Sequence, residues 1–207
     1  VNESKNILAL ALALQADGHI PKDCDKWSFR FGRDRKINRL KEILEALNWR
    51  YDETVDTDGY TKIRFYSVPA VFKYLNSEKL FNWASFLQLD SNSLDFVLDE
   101  IFRWDGSPLK DFNGRKEYRT TVKHNAELIY TLMKLRGHGS TLYDKEGVWT
   151  ISKNIRQFSR CKWKSLQQYT GKVYCPTTQT GAFLVRSPNG KISVTHKTRF
   201  CAARVVA

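Results

Sequence analysis

Leu10-Ala11-Leu12-Ala13-Leu14-Gln15-Ala16-Asp17-Gly18 decides how this chain is read. A second stretch, Leu98-Asp99-Glu100-Ile101-Phe102-Arg103-Trp104-Asp105-Gly106, ends the same way 88 residues later. Residues 4–16 are almost uninterrupted helix formers, apolar throughout from Ile7 to Leu14. A helix that is apolar on nearly every side must be buried on nearly every side. Asp17-Gly18 stops this first helix, and Asp105-Gly106 stops one running from Ser93 to Trp104.

Outward from each helix the pattern repeats. Trp27 to Arg33 alternates, with Trp27, Phe29 and Phe31 on one face and Ser28, Arg30 and Gly32 on the other, which predicts a half-buried strand. A helix from Asn38 to Leu47 follows, with Leu40, Ile43, Leu44 and Leu47 on one stripe. Residues 50–55 and 61–66 form a hairpin around Thr57-Asp58-Gly59, and a short helix spans Ala70 to Leu75. In the second half, strand material runs from Leu109 to Thr120 with a turn at Asn113-Gly114. Thr121 is placed as the N-cap of a helix from Val122 to Arg136, and a hairpin joins Ser140–Tyr143 to Val148–Ser152. Leu128, Ile129, Leu132 and Leu135 mirror the first leucine stripe. This is one supersecondary unit used twice, and paired units suit a two-fold DNA reader. The expected fold is α+β: two pseudo-symmetric αββαββα repeats with antiparallel sheets, over residues 1–90 and 91–170, and a small β appendage over 171–207.

Side-by-side packing of the two helices brings Asp17 and Asp105 together at their C-terminal ends. Two carboxylates beside a basic groove invite Mg²⁺, a hard cation that takes a few carboxylate oxygens and completes its shell with water and phosphate. Such an ion activates water and stabilises the leaving oxygen of a phosphodiester. A single Asp-Gly would be only a helix-ending turn; two at matching points of a repeat in a basic chain point to chemistry.

The charge agrees. The chain has 207 residues, 34 Lys plus Arg against 22 Asp plus Glu, and a net charge of +12. Its cations are interleaved with aromatics along the whole length, as expected of a folded surface that meets a polyanion. Cys24, Cys161, Cys175 and Cys201 form no C-x-x-C pair and no disulfide framework, so an intracellular, reduced protein is expected, without zinc. The longest apolar run, Ile7 to Leu14, is too short to span a bilayer. The start at Val1 is read as that of a processed or trimmed piece. His19, His124, His138 and His196 show no metal-ligand spacing.

Residues 10–18 resemble the LAGLIDADG motif of homing endonucleases, and residues 98–106 look like its second copy. The similarity covers roughly residues 4–165, with the order of elements in each half. It implies a site-specific endonuclease that makes a metal-dependent double-strand break with short 3′ overhangs, acting as a monomer with internal pseudo-two-fold symmetry on double-stranded DNA. It implies Asp17 and Asp105 as Mg²⁺ ligands, with Lys79, in the stretch Ser77-Glu78-Lys79-Leu80-Phe81-Asn82-Trp83, as a basic catalytic residue. A second-half counterpart could be Lys162 or Lys164. It also implies sheets in the major groove, with Arg30, Arg33, Lys62, Arg64, Lys116, Arg119 and Lys153 against bases or phosphates. The second motif departs from the pattern: Asp99, Glu100 and Trp104 stand where small residues are usual, so an asymmetric helix interface is expected.

Residues 171–196 resemble the end of an intein, a short strand pair with a turn at Ser187-Pro188-Asn189-Gly190. That family ends in His-Asn, whereas this chain has His196-Lys197, and Lys cannot cyclise to release an extein. An intein remnant on an endonuclease or an engineered Asn-to-Lys change would each account for this, and an ordinary hairpin is the other expectation; the endonuclease itself is expected to be encoded in an intron or intein of a phage or microbial genome. The alternative function is a catalytically degenerate DNA- or RNA-binding protein such as an intron-splicing cofactor.

Overall fold

The computed structural model describes residues 2–22, 25–108, 116–153, 170, 182–186 and 192–196. The apolar helix α1 (Asn2–Asp17) lies at the centre. Every residue from Leu8 to Leu14 is fully buried, because the strand Lys26–Phe31, the helix Asp34–Ala46 and the 3₁₀ turn Pro69–Lys73 of the first half and the helix Ser91–Trp104 of the second pack against α1. It packs against α4 (Ser91–Trp104), the second motif helix, as the sequence requires. Asp90 caps α4 by accepting from Ser93 N at 2.7 Å, so this helix begins two residues earlier than its apolar periodicity suggests.

The first half continues through β1 (Lys26–Phe31), α2 (Asp34–Ala46), β2 (Tyr51–Val55) and β3 (Thr61–Tyr66). A 3₁₀ turn at Pro69–Lys73 replaces the expected short helix, and α3 (Trp83–Leu87) precedes α4. The second half contains β4 (Gly106–Pro108), β5 (Lys116–Thr120), α5 (Lys123–Leu135), β6 (Ser140–Lys145) and β7 (Val148–Lys153). The α+β expectation holds, with antiparallel sheets ordered β1-β3-β2 and β4-β5-β7-β6. Among the described residues the first sheet has three strands, one fewer than the repeat pattern predicts. In place of the fourth, His19 forms a single bridge with Ser28, where Ser107 of β4 pairs with Glu117. The two registers then run alike: Phe29 faces Ile63 and Tyr118 faces Ile151, all four buried.

Each sheet turns one face to the helices and the other outward. Trp27, Phe29 and Phe31 of β1 alternate with exposed or half-exposed neighbours, as the sequence pattern predicts. On α2, Ile37, Leu40, Ile43 and Leu44 are buried. On α5, Leu128, Ile129, Leu132 and Met133 are buried, but Leu135 is exposed, one residue before the C-cap. Val122, not Thr121, holds the N-cap position of α5. It makes no side-chain cap, and Thr120 Oγ1 instead accepts from Val122 N at 3.2 Å.

The final hairpin pairs β8 (Ala182–Arg186) with β9 (Ile192–His196). It docks on α5 through β9 and through Arg186 to Glu127 at 3.2 Å. The expected turns at Asn113-Gly114 and at 187–190, the strand at 173–175, the four cysteines, and Lys162, Lys164 and Lys197 all lie outside the described residues. No helix among the described residues is long and apolar enough to cross a membrane.

Candidate functional site

Both motif helices end beside one another. Asp17 is the last residue of α1, and Asp105 is the C-cap of α4. The glycine after each is sterically required. A Cβ on Gly18 would lie 2.7 Å from Leu14 Cα, and one on Gly106 would lie 2.2 Å from Phe102 O. Each glycine therefore lets the chain fold back against its own helix while its carboxylate stays at the helix end.

The residue that joins the two carboxylates is one that sequence reasoning missed. Lys36, in the first turn of α2, places Nζ 2.5 Å from Asp17 Oδ2 and 3.8 Å from Asp105 Oδ1. Its side chain is only 12% exposed, so this ammonium is committed to the pair. A signal existed: Lys36 stands four and seven places before the buried Leu40 and Ile43, on the same helical stripe. A lysine on the apolar face of a helix needs a buried partner.

Lys79 reaches the same place by another route. It sits in a tight loop at φ 62, a left-handed conformation uncommon for a residue with a side chain. Asn76 shapes the loop by accepting from Glu78 N and Leu80 N at 3.0 and 2.8 Å. Asn125 of α5, fully buried, donates to Lys79 O and accepts from Phe81 N, both at 2.9 Å, and His124 Nε2 lies 2.9 Å from Phe81 O. Burial lowers the Lys79 ammonium below its usual pKa, and the charges of Asp105 and Asp17 work against that shift. Asp105 is pushed up to about 6 by burial and by the charge of Asp17, with Lys36 and Lys79 opposing. An open pocket of about 510 Å³ runs from this cluster to the second sheet, lined by Gln15, Lys79, Asp105 and Arg119 among others.

The bulky residues of the second motif turn away from this cluster. Trp104 is buried, stacks on Phe31 with centroids 6.1 Å apart, and donates its indole N–H to Glu100 Oε1 at 3.1 Å. Glu100 is buried too, and Arg39 of α2 holds it bidentately at 2.9 and 2.8 Å. The asymmetry thus falls on the contact between α2 and α4, and α1 and α4 still pack together.

The seven expected DNA contacts do not share one surface. Arg30, Lys62 and Arg64 project from the outer face of the first sheet, and Arg119 from the outer face of the second, opposite to Phe29, Ile63, Phe65 and Tyr118. Lys116 and Lys153 pair with each other in register with Tyr118 and Ile151, so strand alternation puts them on the helix-facing side; Lys116 Nζ lies over the Phe102 ring at 5.7 Å. Arg33 lies beyond β1, exposed at the N-cap of α2. Among the described residues no group of three or more His, Cys, Asp or Glu could hold a metal ion. The candidate donor set is therefore the two carboxylates. They suit a cation that keeps most of its own water and takes phosphate oxygens, and their mutual repulsion is what such a cation would relieve.

No protein-family profile matches the chain. It is 25% identical over 226 aligned residues to the ribonucleoside-diphosphate reductase subunit beta of Aquifex aeolicus (strain VF5), covering 98% of this chain and 30% of that protein. Among solved structures, full-length WhiA from Thermatoga maritima is similar with a TM-score of 0.59 at 14% identity, over 75% of this chain and 52% of WhiA. Mesophilic variants of the homing endonuclease I-DmoI give a TM-score of 0.54 at 13% identity, over 75% of this chain and 91% of theirs. I-DmoI in complex with DNA and Mn gives 0.52 at 13% identity, over 74% of this chain and 92% of that one. The chain thus spans about half the length of WhiA and under a third of the reductase subunit. It has a LAGLIDADG homing-endonuclease-like α+β fold.

Proposed function

We propose that this chain is a site-specific homing endonuclease that cuts both strands of double-stranded DNA from one centre in a single polypeptide, leaving short 3′ overhangs. The observation that carries this is the meeting of Asp17 and Asp105 on the shared Lys36, at the point where the two motif helices end. Asp17 and Asp105 would hold Mg²⁺, which when bound supplies a Lewis acid that draws charge from a phosphate oxygen. Lys36 offsets the repulsion of the two carboxylates and fixes their separation. Lys79, partly desolvated, stands ready to donate a hydrogen bond to a scissile phosphate from the pocket side. Arg30, Lys62, Arg64 and Arg119 face DNA, with Arg33 at the margin. The likeness to I-DmoI bound to DNA supports the partner.

The match to less than a third of a reductase subunit, with a C-terminal hairpin resembling an intein end, supports an endonuclease carried within a host protein and acting inside the cell. Residues 1–90 and 91–170 are then its two repeats, and 171–207 the remnant. A second reading, DNA binding without cleavage, is favoured by one observation: the Lys36 ammonium already satisfies Asp17.

The test is incubation of the purified protein with DNA of the uninterrupted insertion site and Mg²⁺. The wild type cuts both strands. Asp17→Asn and Asp105→Asn bind the same duplex without cutting it, and Lys36→Met cuts roughly a hundredfold more slowly. Tight binding by the wild type without any cut would establish the second reading instead.

A further inference from the structure

The outer faces of the two sheets carry one matched feature. Arg30 follows Phe29, which pairs with Ile63 in the first sheet; Arg119 follows Tyr118, which pairs with Ile151 in the second. The two arginines thus occupy the same register position in the two halves. Both are tied to carboxylates. Arg30 donates Nε–H to Asp56 Oδ2 at 2.7 Å and Nη2–H to Asp58 Oδ2 at 3.0 Å, and its guanidinium carbon lies 4.0 Å from the centroid of the Tyr60 ring. Asp56 is itself fixed, accepting from Asp58 N at 3.1 Å and Tyr60 N at 2.9 Å. Arg119 donates Nη2–H to Glu117 Oε2 at 2.8 Å. Glu117 in turn accepts from Ser152 Oγ at 2.8 Å on the neighbouring strand and from Tyr143 O–H at 3.3 Å.

Tethering leaves both guanidinium groups open. Their side chains are 48% and 57% exposed. A guanidinium has five N–H donors, so two bonds at Arg30 leave three donors and one at Arg119 leaves four. A side chain held in place before binding loses less rotamer freedom when it binds. The partner carboxylate also neutralises the arginine and repels phosphate oxygens. What such a fork suits is an uncharged pair of acceptors at fixed spacing, which in the major groove is guanine O6 and N7.

Resting on the reading of these faces as the DNA-binding surface, we propose that Arg30 and Arg119 are the specificity-determining pair of this protein, each reading one guanine. Asp56 and Glu117 position them. Because the two arginines stand at matching places in the two halves, the guanines fall at matching distances on either side of the target's centre, one on each strand.

The experiment is selection from a pool of DNA duplexes randomised over about two helical turns, with the full chain in EDTA so that no cleavage intervenes. Wild-type selections carry a guanine at two symmetric positions. Arg30→Lys keeps the charge but loses the planar fork, and relaxes one position by roughly tenfold to a hundredfold; Arg119→Lys relaxes the other. Preferences elsewhere stay unchanged. Glu117→Gln weakens the guanine preference at the Arg119 position while raising affinity for the unselected pool. Circular dichroism melts confirm that each variant is folded. The proposal is overturned if no symmetric guanines emerge, or if the arginine variants lose affinity equally for all sequences. Failure of the wild type to retain any duplex at low salt overturns the DNA-binding reading itself, a result distinct from retention without guanine preference.

Discussion

Asp105 is a residue the fold makes costly. Its carboxyl is pushed up to about 6 from an ordinary 3.8, first by burial and then by the charge of Asp17. A folded-state pKa above the unfolded one means that folding favours the protonated acid. That contribution is fully present below about pH 4 and is lost as pH rises through 6, so near neutral pH the ionised side chain costs up to about 3 kcal/mol. Asp105→Asn, which is never ionised, is therefore expected to stabilise the metal-free protein by up to that amount at neutral pH and by almost nothing near pH 4. Urea unfolding at the two pH values checks this; an equal gain at both would show that charge burial is not the cause. Asp17 and Asp105 were legible in the sequence because each ends an apolar helix at a glycine. Lys36 is marked in the sequence only by its place on the apolar stripe of α2: no spacing rule ties it to Asp17, and a helix beginning at Asn38 leaves it outside. Only the docking of α2 on the ends of α1 and α4 gives Lys36 its partners.

That docking is built at the scale of elements. Arg39 and Arg35 of α2 reach across to α4, the first to the buried Glu100 and the second to Arg103 O. Glu100 sits one turn before Trp104, which satisfies its indole on the same carboxylate. Leaving either charge alone in this interface is worse than having neither. Glu100→Ala is expected to destabilise by about 3 kcal/mol, and the double variant Arg39→Met, Glu100→Met by much less than the sum of its single changes. A double-mutant cycle in urea measures the coupling, and simple additivity would mean that the pair is not a clamp. Strand and helix positions were readable from alternation and leucine stripes because those patterns record burial directly. The missing fourth strand of the first sheet was not, since His19 and its neighbours carry no alternation to distinguish a bridge from a strand. Glu100 and Trp104 looked like obstacles to helix packing because periodicity gives a face but not its neighbour. They face α2 and β1, not the seam with α1. Lys116 and Lys153 lie on the helix-facing side for a related reason: at a strand end a lysine can extend past the last buried residue to keep its ammonium in water.

Across the whole molecule the basic charge is divided unequally between the two outer faces. The first sheet presents Lys62 and Arg64, which form no ion pair among the described residues, beside the tethered Arg30. The second presents Arg119 tied to Glu117, with exposed Tyr143 beside it and Lys145 as its one cation without an ion pair among the described residues, over the buried hydroxyls of Thr150 and Ser152. Untied cations attract phosphates regardless of sequence, and each phosphate neutralised on B-DNA contributes about 0.9 to the slope of log K against log salt. The first half should therefore supply most of the salt dependence and the second mostly discrimination. Changing both Lys62 and Arg64 to Ala is expected to reduce the slope by roughly 1.8 and to weaken binding similarly for every sequence. Tyr143→Phe, which removes a hydrogen bond to Glu117, should leave the slope unchanged and alter only which sequences are preferred. Asp56→Asn should steepen the slope, because it releases Arg30 toward phosphate. Fluorescence anisotropy of a labelled duplex over a salt titration measures all three, and equal slopes for wild type and the Lys62, Arg64 double variant would refute the division of labour.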